Sequence, residues 1–351
     1  MWGFVVINFN FKKSFASCLV PVAMILIVLK SGDVISAVKD SLELCVSTIV
    51  PTLFPFMVLS SLFVSNTPLP KRAGRFAGRI LGISPAGVSA FICGIVCGFP
   101  VGAKCASQLL KEKQISVSEA ESLIAYSNNP GPLFVIGAVG SVMFGSLKIG
   151  ILLYAIQVFS VLCCAFVLRL FTPYTVIRAN KHSGIKTDLT DSICTSVVSI
   201  LHVCAFIVFF AVVNVLISPL KTFMPSFAKC LVTSAIEITN GIYEIRKSVF
   251  SMPIKLSLVS FALGWSGMSV HMQVKSLVKD TGISMKKYYI TRFCISIVNA
   301  FVTYAVSSYA DTIILKAYEN KTAIFIITFL IFFSVFFYTQ KKEGKIPLFR
   351  Y

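Results

Sequence analysis

Acidic side chains are scarce in this chain. Only 14 of its 351 residues are Asp or Glu, against 32 Lys and Arg, and the formal net charge is +18. No two carboxylates share one apolar stretch, which disfavours an intramembrane aspartyl protease. Histidine is rarer still. The three, His182, His202 and His271, have no second His or Cys at ligand spacing, so no metal site is expected. None of the 11 cysteines forms a Cys-x-x-Cys pair, and most lie in apolar runs, as Cys93, Cys97, Cys163, Cys164 and Cys204 do. They read as small buried hydrophobes, not as a disulfide framework. Nucleophile-elbow, zinc-protease, phosphate-loop and dinucleotide motifs are all missing, so no catalytic residue and no cofactor is assigned, and an enzyme is not expected.

What is present is apolar. Hydrophobic residues make up 56% of the chain and the mean hydropathy is +0.85. Most of the chain therefore belongs in lipid, with room for about eight to ten membrane passes or hairpins and no separate soluble domain. The basic residues fall in short loops between apolar runs. That pattern suits the positive-inside rule and anionic lipid, or a basic vestibule that gathers an anionic substrate. It does not suit nucleic acid.

The polar run Ser127-Asn128-Asn129-Pro130-Gly131-Pro132 interrupts the apolar stretch 123–144. Two prolines, a glycine and two asparagines cannot continue a helix there. Unpaired backbone at membrane depth costs several kcal/mol per group, so a broken helix survives only where protein or a wet cavity receives it. Such breaks are how many transporters build a substrate site.

Around this break the sequence predicts an all-α polytopic membrane protein. Residues 1–39 hold a first, uncleaved membrane helix with its N-terminus in the cytoplasm. A first unit covers 40–171: a helix over 40–64, a basic interfacial helix with Lys71, Arg72, Arg75 and Arg79, a re-entrant hairpin over 84–113, a broken helix over 117–145 and a helix over 147–171. Residues 172–190 form a cytoplasmic linker. A second unit, 191–339, opens with a helix over 191–217. It continues through a segment of mixed polarity at 228–245, two short apolar arms over 253–279 read as a second hairpin, and helices over 285–308 and 322–338. Residues 340–351 are a basic tail. Weak identity at an offset of 151, such as Asp40-Ser41 with Asp191-Ser192, suggests a repeat. If the hairpins do not cross, each unit crosses three times and the repeat is inverted. If 228–245 crosses the membrane, it is not.

Candidate site residues gather at the interruptions. Gly98, Pro100, Gly102 and Lys104 mark the first hairpin tip, where a helix N-terminus attracts an anion and glycine admits close backbone approach. A lysine inside a membrane segment is a functional hypothesis by default. Ser127, Asn128, Asn129 and Gly131 mark the break. Glu237, Thr239 and Asn240 form a second polar interruption, with Glu237 a candidate partner for Lys104. Gly267, Ser269, His271 and Gln273 follow the second tip.

Several of these stretches carry a resemblance. Gly98-Phe99-Pro100-Val101-Gly102-Ala103-Lys104, the run from Ser127 to Gly140, Glu237-Ile238-Thr239-Asn240-Gly241-Ile242 and Gly267-Met268-Ser269-Val270-His271-Met272-Gln273 together resemble the sporulation integral membrane proteins of the YlbJ type. The resemblance implies nucleoside-recognition (gate) domains and an architecture similar to concentrative nucleoside transporters, with two repeats facing a central site. It implies passage of a small anionic substrate, dipicolinate, across the outer forespore membrane of a bacterium. Trp265-Ser266-Gly267 stands where the resemblance would set a further glycine. Alternatives are a transporter of nucleosides or another metabolite, and a non-transporting component of a sporulation complex. The expected partners are the substrate, the lipid bilayer and possible further copies of the chain as a homo-oligomer.

Overall fold

A computed structural model describes residues 11–66, 71–171 and 188–313. Residues 172–187 of the expected linker over 172–190, the helix over 322–338 and the tail over 340–351 lie outside the described residues. Every element described is helical. α1 (Phe11–Leu29) meets α2 (Ser31–Leu44) at a bend of 92°. A π-helical turn, π1 (Cys45–Ile49), carries α2 into α3 (Val50–Asn66), so the predicted helix over 40–64 is part of a longer run that starts at Ser31. α4 (Lys71–Leu81) is the basic amphipathic helix.

The next two helices form the predicted first hairpin. α5 (Pro85–Val96) and α6 (Val101–Lys111) pack on each other. At about 1.5 Å per residue neither arm reaches across a hydrocarbon core of about 30 Å. Ser84 starts α5 by accepting from Gly87 N–H at 3.1 Å. α7 (Val117–Ser127) starts at Ser116, whose hydroxyl accepts from Glu119 N–H at 3.1 Å. The Glu119 carboxylate turns to the hairpin and accepts from Ser84 N–H at 2.6 Å. The predicted break follows. Beyond it the chain resumes as a π-helix, π2 (Leu133–Met143), and then α8 (Leu147–Phe171), whose bounds are those expected.

α9 (Leu189–Leu216) and the short α10 (Ser218–Thr222) come next. Here the structure corrects the sequence reading. The second hairpin is not 253–279 but the segment of mixed polarity: α11 (Ser226–Ile236) and α12 (Ile238–Lys247) fold onto each other. The reversal needs only one extended residue, Glu237 (φ −146°, ψ 125°). Gly241 lets the arms close, since a Cβ there would collide with Ser234. Lys229 and Glu244 join the arms at 2.7 Å. α13 (Met252–Trp265) and α14 (Gly267–Val278) are instead two pieces of a second broken helix. α13 packs on α8, α11 and α12, whereas α14 packs on α6, α9 and α11. The break is made by Ser266 and Gly267, both left-handed at φ 75° and 81°.

α15 (Lys286–Ile313) is the last helix described. The chain divides into two contact units at Tyr304, and the described part of the second, Ala305–Ile313, is the end of this helix. Leu147–Leu170, Leu189–Leu216 and Lys286–Tyr309 are long and apolar enough to cross a membrane, as are α1 and α2 if that bent pair makes one span. In lipid, association relies on close packing and interhelical hydrogen bonds. The first unit shows both, through small residues at its contacts and the buried polar groups described below.

Candidate functional site

The first hairpin tip docks into the first break, backbone to backbone. Phe99 N–H donates to Asn129 O at 2.6 Å. Gly98, at φ 83°, lies against Gly131, where a Cβ would come within 2.6 Å of Gly131 N. The Phe99–Pro100 peptide is cis, and Pro100 begins α6. Gly94 of α5 and Gly102 of α6 flank the Ser127 carbonyl from both arms, and a Cβ on either would strike it. Asn128 accepts from Ala103 N–H at 2.8 Å and donates to Ile124 O at 2.8 Å, so its amide ties the second arm of the hairpin to the end of α7.

The second tip meets the second break through an indole side chain and a glycine. Trp265 Nε1 donates to Ala235 O at 3.4 Å. A Cβ on Gly267 would meet Ile238 N at 3.1 Å and Glu237 Cα at 3.3 Å. Glu237 is buried and caps α12, accepting from Thr239 N–H at 3.0 Å and Asn240 N–H at 2.8 Å. Glu237→Ala is expected to cost about 1–2 kcal/mol, the usual worth of an N-cap. Thermal unfolding of the detergent-solubilised protein measures this, and an unchanged midpoint would exclude the capping role.

One cavity of about 110 Å³ lies where tips and breaks converge. Gly98 and Gly131 line it from the first tip and break, and Glu237, Thr239, Ser269 and Gln273 from the second. Phe56, Phe99 and Phe134 supply flat apolar walls. Leu133, Ile238 and Ser269, all first-turn residues, bring the N-termini of π2, α12 and α14 to the same space. Gln273 is 4% exposed and its Oε1 has no partner among the described residues.

The remaining candidates stand behind this wall. Pro100, Gly102, Ser127, Asn128, Asn129 and Gly267 build the junctions between tips and breaks. Asn240 is exposed and contributes its backbone N–H to Glu237. His271 is buried beside Tyr288, with Nδ1 2.9 Å from the phenol oxygen, and its ring meets Trp265 edge-on with centroids 4.4 Å apart. Lys104 does not reach Glu237. Its ammonium donates to Ser196 Oγ of α9 at 2.7 Å and to Met57 O at 3.4 Å.

Sequence reasoning passed over Arg292. It is fully buried on α15 and reaches both breaks. Nη1 donates to Asn129 Oδ1 at 3.0 Å, and Nη2 donates to Ser266 Oγ at 2.7 Å and Leu263 O at 3.2 Å. Asn129 Oδ1 also accepts from Gln157 Nε2 at 3.1 Å, and Gln157 Oε1 accepts from Asn299 Nδ2 at 2.5 Å. The signal was there. Arg292, Ser296, Asn299 and Thr303 recur at helical spacing on an otherwise apolar helix, and all four are fully buried.

Apolar spanning helices and helix breaks buried against hairpin tips define an integral membrane protein of polytopic, all-helical type, in contact with the lipid bilayer. The chain is similar to the sporulation integral membrane protein YlbJ of Bacillus subtilis (strain 168), at 29% identity over 303 residues, which covers 73% of this chain and 73% of that protein. This likeness supports membership of the YlbJ-type family. No family model matches the chain. No solved structure matches it either.

Proposed function

We propose that this protein is a membrane transporter of a small organic anion, with dipicolinate crossing the outer forespore membrane during sporulation as the first cargo to test. The observation that carries the reading is the convergence of two hairpin tips and two helix breaks on one cavity. A scaffold has no use for broken helices at membrane depth, whereas a transporter places its solute there. Three helix N-termini reach the cavity, and Glu237 caps one of them. The other two offer partial positive charge to a carboxylate. Flat aromatic walls suit a heteroaromatic ring. The choice of dipicolinate rests on the YlbJ-type resemblance and on this chemical fit.

The same reading includes two repeat units. In the first, α3, α4, the α5–α6 hairpin, the α7–π2 break and α8 follow in order. In the second the order is α9, α10, the α11–α12 hairpin, the α13–α14 break and α15. With both hairpins re-entrant, each unit crosses three times and the units are inverted, similar to concentrative nucleoside transporters.

One observation favours a second cargo class. Among the described residues Glu237 is the only charged side chain lining the cavity. An acid together with the unpartnered Gln273 Oε1 suits a neutral solute that carries N–H or O–H donors, such as a nucleoside.

Flux into proteoliposomes separates these readings. Dipicolinate uptake is expected to saturate and to fall about tenfold in Gln273→Ala, which removes the Nε2 donor to a carboxylate, the worth of roughly one buried hydrogen bond. Uptake of nucleosides but not dipicolinate would select the second cargo. A well-folded, inserted protein that moves neither would sink the transporter reading.

A further inference from the structure

Arg292 lacks what a buried guanidinium ordinarily has. No carboxylate pairs with it among the described residues; its partners there are three neutral oxygens. A buried charge without an opposite charge is expensive and calls for another source of compensation. The three oxygens it meets supply it. Leu263 O belongs to the last turn of α13, so the helix break leaves it without the partner that a continuous helix would provide. Ser266 Oγ sits on the break itself. Asn129 Oδ1 sits on the other break, just past the end of α7. The C-terminal ends of two half-helices carry partial negative charge, and both point their terminal residues at one guanidinium.

In many secondary transporters such unwound carbonyls and half-helix C-terminal ends coordinate a sodium ion or a proton. Here a side chain already occupies them. We propose that Arg292 is a built-in cation: it clamps the two helix breaks together and takes the place of a mobile coupling ion, so that the protein binds no sodium at its breaks. The coupling half of this inference rests on the transporter reading; the clamp half does not. The clamp spans the whole site. Phe99 N–H holds Asn129 O, the Asn129 side chain holds Arg292, Arg292 holds Ser266, and the adjacent Gly267 packs on the Glu237 tip. One charge thus sets the spacing of both tips. Arginine suits the role, since its planar fork stays charged and donates in two directions at once.

The test uses the purified full chain in detergent and reads the unfolding temperature. Sodium chloride is titrated against choline chloride at constant ionic strength. Wild-type curves are expected to superimpose, and a saturable stabilisation by sodium overturns the proposal. Arg292→Lys keeps the charge and Arg292→Met keeps only the bulk. The Met variant is expected to unfold about 5 °C or more below the Lys variant; equal midpoints overturn the clamp. Arg292→Ala is expected to regain stability in millimolar guanidinium, to which the wild type does not respond. If the Ala variant does not fold, the wild-type titration and the Lys–Met pair still decide. In proteoliposomes wild-type uptake is expected to be equal in sodium and choline. Absence of uptake of any tested solute counts against the transporter reading alone, because the unfolding data judge Arg292 without it.

Discussion

Asn129→Leu is expected to destabilise the protein by about 3 kcal/mol, the cost of leaving a buried charged group short of an acceptor. Leucine has the same branched heavy-atom skeleton as asparagine, so the change opens no cavity, and the loss is chiefly one of hydrogen bonds and charge. Asn129 Oδ1 accepts from Arg292 Nη1 at 3.0 Å and from Gln157 Nε2 at 3.1 Å, while its Nδ2 donates to Tyr126 O at 2.8 Å. Interhelical hydrogen bonds in membrane proteins average about 0.6 kcal/mol, so the two to Arg292 and Gln157 explain only about 1 kcal/mol. The remainder comes from the guanidinium, which loses one of its three oxygen acceptors in a place water does not reach. Asn129→Asp keeps the Oδ1 acceptor and adds a negative charge beside Arg292, at the cost of the Nδ2 donor to Tyr126 O, so its loss is expected to be well below that of Asn129→Leu. Comparing the two unfolding midpoints in detergent checks this, and equal losses would show that the amide matters for shape and not for charge.

Gly94→Ala is expected to cost about 3 kcal/mol, the upper end for overpacking, or to prevent insertion altogether. The new methyl would be driven into the Ser127 carbonyl, and Gly102 presses on the same oxygen from the other arm. Backbone blocks backbone here, so no rotamer change relieves the clash. Helix propensity alone favours alanine over glycine by about 1 kcal/mol, which makes the expected sign informative. Gly137→Ala is the matched control. Its Cβ would meet only Leu133 Cδ1 at 3.7 Å, an ordinary contact. That variant is expected to stay within about 0.5 kcal/mol of wild type. The yield of folded protein and its unfolding midpoint read both changes. A Gly94→Ala protein as stable as the control would mean that the hairpin does not dock into the break as described.

Some of this architecture was legible in the residues alone, and the reasons are local. Pro130, Gly131 and Pro132 cannot sit inside a helix, and the chain breaks there. The first hairpin announced itself by two apolar arms too short to span and by Gly98 and Pro100 between them. α8 is apolar throughout and uninterrupted, so its ends stood out. The second hairpin was missed because its tip contains neither proline nor glycine, and one extended residue, Glu237, reverses the chain. Its second arm is amphipathic, with Tyr243, Arg246 and Lys247 exposed, and so did not read as a membrane element. The Gly264–Gly267 stretch carries glycine at the expected place, and the same glycines serve a break as readily as a turn.

The site divides in the same way. Gly98, Gly131, Glu237, Thr239, Ser269 and Gln273 all reach the cavity, and each sits at or just after an interruption of a helix. Asn128, Asn129 and Lys104 sit at interruptions too, yet their polar atoms are occupied by protein partners. Sequence spacing identifies a polar residue at a break; it does not say whether protein or solute takes the hydrogen bond. Arg292 escaped notice for a related reason. It follows Lys286 and Lys287 closely enough to read as the charged flank of a membrane helix, and its partners come from segments far away along the chain.

That separation bears on how the protein is made. Asn129 and Arg292 are 163 residues apart. At a synthesis rate of about 5–20 residues per second, the chain grows for roughly 8–33 s after Asn129 emerges before its guanidinium partner exists. Throughout that interval the first break is in the bilayer, or waiting at its edge, with an amide oxygen and no cation to hold it. The first half can dock its own hairpin into its own break, but until α15 arrives the Asn129 oxygen has only Gln157 to hold it. The last described helix is the keystone of assembly, and a ribosome stalled before Arg292 leaves behind a half-built protein with an open polar seam, the kind of lesion that membrane quality control is equipped to find.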